Sequence, residues 1–326
     1  MREELLKMLK ETENYISGQE LCERLSVSRT AVWKAVNSLK EVGYEIEAVT
    51  NKGYRLISSP DVLLSDEIKS LLDTEWFGKE IIYMEEVDST NNEIKRLADK
   101  EIVHGMLVIS DSQTAGRGRR GRNWNSPPGT GIWMSHLLKP DLEPSKASMI
   151  TLVAALACAK AIRDNTGLDA LIKWPNDIVV NGHKVVGILT ELSAETDYIN
   201  YVVVGIGINA NMTEFPEEIK ATATSLRMES GHAVHRSAIV ASYGKYFEYY
   251  YDKFISTSNL SGLREEYEEL LVNKGRAVLI LGSGSEEKGI ATGINDMGEL
   301  LVEGEDGQVK NIYAGEVSVR GIYGYV

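Results

Sequence analysis

Over the first sixty positions, apolar residues recur at helical spacing and then switch to alternation. Leu5, Leu6 and Leu9 form one face of an opening amphipathic helix. Ser17-Gly18-Gln19-Glu20 reads as a capping box for a short second helix, with Leu21, Cys22 and Leu25 turned inward. Ser26-Val27-Ser28 makes a turn, and Ser28 caps a third helix running to about Glu41. On that helix Val32, Val36 and Leu39 share an apolar face. Arg29, Trp33 and Asn37, with Thr30 and Lys34 beside them, share a separate and mostly polar one. Residues 44–48 alternate, Asn51-Lys52-Gly53 turns, and Tyr54-Arg55-Leu56 returns as the second strand of a hairpin. Three helices and a hairpin outline a winged helix-turn-helix over residues 1–60, followed by the linker Ser58-Ser59-Pro60-Asp61.

From 63 to 270 the pattern mixes both periods. Strands are predicted at 81–86, 106–110, 131–137, 171–173, 178–180, 185–192 and 201–209, and helices at 90–99, 146–164, 237–256 and 261–270. Strands that adjoin through short turns imply an antiparallel or mixed sheet backed by helices. Over 273–326 short strands alternate with Gly-rich turns at 282–284, 295–298 and 304–307, which reads as a small β-barrel of about five strands. The fold class is therefore α+β and multidomain.

Composition narrows the picture. A chain of 326 residues suits two or three domains, and 43% hydrophobic with 25% charged residues is ordinary for a globular protein. The longest apolar run, 149–159, is about ten residues short of a membrane span and reads as a buried helix. The first residues lack the apolar core of a signal peptide. Cys22 and Cys158 lie far apart without CxxC spacing, so neither a disulfide framework nor a zinc site is expected, and both fit a reducing cytoplasm. A net charge of −13 argues against indiscriminate nucleic-acid binding. Residues 1–60, however, balance nine Lys/Arg against nine Asp/Glu, and 24–55 carry six basic against three acidic residues.

The acidic remainder holds one strongly basic run, Gly116-Arg117-Gly118-Arg119-Arg120-Gly121-Arg122. Glycine lets backbone N–H groups approach an anion, and arginine adds a permanent charge on a planar donor fork. The run lies in an aperiodic stretch, 111–131, of the length expected for a lid or a solvated basic loop. Trp124, just beyond it, suits either a stack on a nucleobase or an apolar plug. Further on, Lys173-Trp174-Pro175-Asn176-Asp177 leads into a hairpin at Asn181-Gly182. A regular register pairs Val180 with His183 and Asp177 with Val186, leaving Lys184 diagonal to Asp177 on one side of the sheet. An exposed ion pair there is worth little. Gly187, Gly205 and Gly207 inside strands instead mark a place where a ligand nears the backbone, with Lys184 placed to grip an anion and Asn209 ending the last strand. Asp88-Ser89-Thr90-Asn91 suits both an N-cap and a polar ligand contact at a helix start.

Together, Ser89-Thr90-Asn91, the 113–122 segment from Gln113 through the Arg/Gly run, Lys173 to Asp177, Lys184-Val185-Val186-Gly187 and Gly205 to Asn209 resemble the biotin–protein ligases, whose catalytic domain is of the class II synthetase type. With the winged helix in front, the chain is similar to the bacterial ligases that double as biotin-operon repressors. The resemblance implies an SH3-like barrel at the C-terminus. It also implies synthesis of biotinyl-5′-AMP from biotin and MgATP, and transfer of biotin to a lysine of a carboxylase's biotin carrier domain. It assigns Ser89, Thr90, Asn91 and Gln113 to biotin, and Gly116, Arg117, Gly118 and Arg119 to its carboxylate and the phosphate. Lys184, Arg119 and Arg117 become the catalytic cations, with Gly187, Gly205 and Gly207 lining the pocket. Trp124, Arg120, Arg122, Lys173, Asn176 and Asn209 go to the nucleotide, and Asp177 to a structural or magnesium-linked role. Arg29, Thr30, Trp33, Lys34 and Asn37 would face the major groove, and Lys52 and Arg55 the phosphates. So few positive charges imply weak DNA binding by one copy, hence a ligand-promoted homodimer on a palindromic operator. A ligase with an inactive DNA module, a lipoate ligase or octanoyltransferase, and a repressor without catalysis stay open as alternatives.

Overall fold

The computed structural model describes residues 1–281, 286–313, 318–321 and 325–326. Helices α1 (Arg2–Lys10), α2 (Gly18–Leu25) and α3 (Arg29–Val42) bury Leu5, Leu6, Leu9, Leu21, Val36 and Leu39 against one another. The hairpin β1 (Glu45–Val49) and β2 (Gly53–Ser58) closes that core with Ile46. The two predicted caps are present: Ser17 Oγ accepts from Glu20 N at 3.1 Å and Ser28 Oγ from Ala31 N at 3.2 Å. Each such cap stabilises its helix by ~1 kcal/mol.

Helix α4 (Ser65–Leu71), too short for its periodicity to show in the sequence, joins this unit to the rest. Its Glu67 is buried, and its carboxylate accepts from Lys10 Nζ and from the Tyr44 hydroxyl, both at 2.6 Å. A buried charge needs such partners, so Glu67 ties the winged helix to the following domain.

That domain is a seven-stranded sheet of β3 (Ile81–Val87), β4 (Leu107–Gln113), β5 (Ile132–Leu138), β6 (Leu171–Lys173), β7 (Asp177–Val180), β8 (His183–Ala194) and β9 (Ile199–Ile208). The order is β3-β4-β5-β9-β8-β7-β6; β3 and β4 run parallel and the other neighbours antiparallel. Strand alternation divides the two faces. Val202, Val204, Ile206 and Ile208 turn to the core shared with α6 (Met149–Thr166) and α8 (Arg236–Thr257). Val203 turns the other way, to α5 (Thr90–Ala98), with Val108, Leu137 and Ile94. Beyond Val203 this second face carries Gly205, in contact with Asn91 in the first turn of α5, and Gly207, in contact with Trp124. Helix α6 is apolar almost all round because it lies between the sheet and α8. Two short helices, α7 (Leu226–Ser230) and α9 (Arg264–Glu269), complete the helical set among the described residues, α9 being shorter than the predicted 261–270.

At the C-terminus β10 (Ala277–Leu281), β11 (Glu286–Ile294), β12 (Leu300–Glu303), β13 (Val309–Ile312) and β14 (Ser318–Gly321) form an antiparallel sheet, ordered β13-β12-β11-β10-β14. The predicted turn at 282–284 lies outside the described residues. This sheet docks on the central domain: Trp174 Nε1 donates to Gly298 O at 3.0 Å, and Leu260 N to Asp296 O at 2.8 Å.

Two local expectations change. Asp177 stands opposite Gly187, not Val186, because Val185 is an extra residue bulged out of β8. The bulge is satisfied elsewhere: Lys184 N donates to Thr222 O at 2.8 Å, its carbonyl accepts from Thr224 N at 2.9 Å, and Val185 O accepts from Asn209 N at 2.8 Å. The stretch 111–131 is also more ordered than its lack of periodicity suggested. Strand β4 runs on to Gln113, Gln113 bridges to Ser126 and Arg117 to Asn123, and a 3₁₀ turn spans Arg119–Gly121.

His136 is fully buried on β5, with Nε2 2.8 Å from the Tyr243 hydroxyl, and burial pulls its pKa down to about 3. The unfolded chain binds this proton near pH 6.5, so between there and about 3 the unfolded state gains stability as pH falls. Urea unfolding is expected to show this acid loss of stability, with no contribution from His136 above pH 6.5. His136→Gln should remove that part of the slope; an unaltered slope contradicts the assignment.

Candidate functional site

Gly187, Gly205 and Gly207 of β8 and β9 line one side of a small pocket of about 50 Å³. Backbone is approached there at contact distance. A Cβ at Gly205 would meet Asn91 Oδ1 at 2.1 Å, and one at Gly207 would meet Trp124 Nε1 at 2.5 Å. Gly187 lies under the same indole, and Ile188, Leu189 and Ile206 add apolar lining.

One wall is the start of α5. Ser89 holds the N-cap position but its hydroxyl makes no cap bond; it lines the pocket instead. The cap comes from the neighbouring strand: Gln113 Oε1 accepts from Thr90 N at 2.9 Å and from Thr90 Oγ1 at 3.2 Å, while Gln113 Nε2 donates to Ser126 Oγ at 2.8 Å. Ser135, fully buried on β5, lies 2.7 Å from Thr90 Oγ1 and 2.6 Å from Asn91 Oδ1. Asn91 Nδ2 donates to Glu191 Oε2 at 2.6 Å, and Glu191 also pairs with Lys95 at 2.5 Å. Ser135, Ser126 and Glu191 were absent from the sequence reading. A polar residue on the inward face of a predicted strand, as at Ser135, was the available signal.

The opposite end is cationic. Lys184 Nζ lies 2.6 Å from Asp177 Oδ1 and 5.1 Å from the centroid of the Trp124 ring. The second Asp177 oxygen accepts from the Tyr325 hydroxyl at 2.5 Å. Burial raises the Asp177 pKa, but Lys184, the Tyr325 hydroxyl and Lys173 outweigh it and hold the carboxyl below its ordinary value. Both Asp177 oxygens hold protein partners, and no group of three His, Cys, Asp or Glu side chains is placed to hold a metal among the described residues.

Arg119 sits half-buried on the 3₁₀ turn and donates to Asn176 Oδ1 at 2.7 Å. Burial lowers its pKa, Asp177 opposes this, and Arg120 and Arg122 add to it; a guanidinium stays charged throughout. Arg117, Gly118, Trp124 and Asn176 line the pocket with it. The Trp124 Nε1 donor is buried with no protein partner. Besides Asp177, five candidates lie outside the lining. Gly116 folds the loop, accepting from Trp124 N at 2.9 Å, with no room for a side chain. Arg120 and Arg122 point outward as exposed residues. Lys173 is buried with its ammonium 3.4 Å from the Tyr325 ring centroid. Asn209 is buried and donates to Thr224 O at 3.1 Å.

On the winged helix, α3 exposes Arg29, Thr30, Lys34 and Trp33, the last 56% accessible, with Asn37 half-buried beside them. Lys52 is exposed on the wing, whereas Arg55 pairs with Glu47 at 2.8 Å and both basic groups lie over the Tyr15 ring.

Comparison with known proteins places this architecture in a family. Residues 83–209 match the biotin/lipoate A/B protein ligase family, 2–55 an HTH domain, and 275–320 the biotin protein ligase C-terminal domain. The bifunctional ligase/repressor BirA of Bacillus subtilis is 39% identical over 98% of both chains. That of Escherichia coli is 31% identical over 93% of this chain and 92% of its own. A structure of the biotin protein ligase from Aquifex aeolicus in complex with biotin and ATP superposes with a TM-score of 0.65 at 34% identity, covering 74% of this chain and 99% of that one. The chain belongs to the biotin protein ligase family, among the members that carry an N-terminal helix-turn-helix domain.

Gly205→Ala is expected to destabilise the fold by about 1–3 kcal/mol through overpacking against Asn91. Urea unfolding reads this directly, and a wild-type midpoint would mean that the close approach is relieved without cost.

Proposed function

We propose that this chain activates biotin with MgATP and passes it to a lysine of a biotin carrier domain. The observation that carries this reading is the glycine-floored slot ending on Lys184 and Arg119. Two anions, a carboxylate and a triphosphate, must meet, so fixed positive charge and orientation are the chief requirements. A carboxylate oxygen of biotin bonds to the α-phosphorus, and the bond to the bridging oxygen breaks to release pyrophosphate. The lysine amine then bonds to the acyl carbon, the acyl–phosphate C–O bond breaks, and AMP leaves with loss of one proton from the amine. Lys184 and Arg119 stabilise charge on the oxygens during both steps, Arg117 and the Gly118 backbone line the anion end, and Ser89 and the α5 start face the ureido ring. Trp124 presents an indole N–H and a ring face to the nucleotide. Magnesium enters with the triphosphate, and Lys173, Asn176, Arg120, Arg122 and Asn209 act at or around the nucleotide side.

Pyrophosphate release with ATP and biotin, octanoate or lipoate in separate reactions tests this. Release with biotin alone is expected. Release only with octanoate or lipoate supports the runner-up activity, and none with any acid removes catalysis. In the same assay Lys184→Ala should slow release by on the order of 10²–10³. A rate near wild type would take Lys184 out of the mechanism.

The second role is repression. In this reading α3 enters the major groove with Arg29, Thr30, Trp33, Lys34 and Asn37, Lys52 and Arg55 contact phosphates, and two copies bind a palindromic operator once biotinyl-5′-AMP orders the Arg/Gly loop. Arg55 can exchange Glu47 for a phosphate because an exposed pair is weak. A continuous polar route supports the coupling. Buried Arg236 holds Asp111 at 2.9 Å and Gly131 O at 3.1 Å, at the two ends of the loop segment, and Asp61 of the linker at 2.8 Å. Its neighbour Ser237 reaches Glu67 at 3.4 Å, and Glu67 holds Lys10 and Tyr44 of the winged helix. Biotin plus ATP should therefore raise operator affinity. Glu67→Gln should cut that enhancement several-fold with pyrophosphate release within twofold of wild type, and an unchanged enhancement contradicts this route. The unpaired Cys22 and Cys158 suit a cytoplasmic setting.

A further inference from the structure

The C-terminal domain contributes a side chain to the catalytic end. The Tyr325 hydroxyl donates to Asp177 Oδ2 at 2.5 Å across 148 positions of sequence. The other Asp177 oxygen takes Lys184 Nζ at 2.6 Å and Asn176 Nδ2 at 3.2 Å. Asn176 in turn accepts from Arg119 at 2.7 Å. Lys184 and Arg119 are thus held through the Asp177–Asn176 pair, and Tyr325 bonds to that pair from behind. The ring of the same tyrosine meets the Lys173 ammonium at 3.4 Å from its centroid.

We infer that Tyr325 is a positioning residue for the adenylation step, its hydroxyl and its ring doing separate work. The hydroxyl occupies one carboxylate oxygen, so Asp177 offers only the other to Lys184. The ammonium then spends one of its three donors on that carboxylate and keeps the remainder for an incoming phosphate. Without that bond the carboxylate is free to turn and engage Lys184 with both oxygens, drawing it from the pocket. The ring holds Lys173 by cation–π attraction next to the nucleotide side. This role rests on the ligase reading given above.

The test compares Tyr325→Phe, which keeps the ring, with Tyr325→Ala, which removes both parts. Full-length protein is assayed for biotin-dependent pyrophosphate release, with kcat, KM for ATP and biotin, and the thermal midpoint measured for each. Tyr325→Phe is expected to lower kcat about tenfold with both KM values within twofold and an unchanged midpoint. Tyr325→Ala should show the same loss in kcat together with a several-fold higher KM for ATP. A wild-type kcat in Tyr325→Phe overturns the proposal, as do losses in both variants that merely follow a lowered midpoint. Wild-type protein inert toward biotin and ATP overturns the ligase reading and this role with it, a result distinct from active wild type with an equally active Phe variant.

Discussion

Lys184 and Asp177 face each other across a bulged hairpin, 2.6 Å apart, at the edge of a pocket that is otherwise polar and small-residue lined. A pair like this sets limits on everything around it. The aspartate is largely buried, and removing its charged partner from such an ion pair typically costs several kcal/mol. The lysine is held in place by that carboxylate. The bulge at Val185, the Thr222–Thr224 contacts and Tyr325 all serve to keep the two groups at this distance.

The remainder of the fold brings glycine backbone and small polar side chains to that charge. On β9 one face is given to the helical core, and the other packs Val203 under α5, Gly205 against Asn91 and Gly207 against Trp124 at the pocket. Arg236 bonds both ends of the loop segment and the Asp61 linker, its neighbour Ser237 reaches Glu67, and Glu67 bonds Lys10 of the winged helix, so hydrogen bonds run between the two domains.

Much of this was legible in sequence where the determinants are local. Ser17 and Ser28 cap helices through residues three positions away, and Asn181-Gly182 makes its turn with positive φ at both residues. The site motifs were legible as well, because glycine within strands and arginine beside glycine are uncommon for a fold's sake alone. Long-range contacts were not. The extra residue at Val185 depends on backbone partners at 209 and 222–224. Thr90 is capped by Gln113, 23 positions away, in place of the adjacent Ser89 hydroxyl. Tyr325 reaches Asp177 only once the C-terminal sheet has docked, and no spacing rule connects them.

A crystal structure of the protein grown with biotin and ATP is the most direct measurement. The expected density is a biotinyl adenylate with its ring system on Gly205 and Gly207 and its phosphate contacted by Lys184 and Arg119. An adenylate bound elsewhere, with Lys184 still engaged only by Asp177, would contradict the assignment of this pocket.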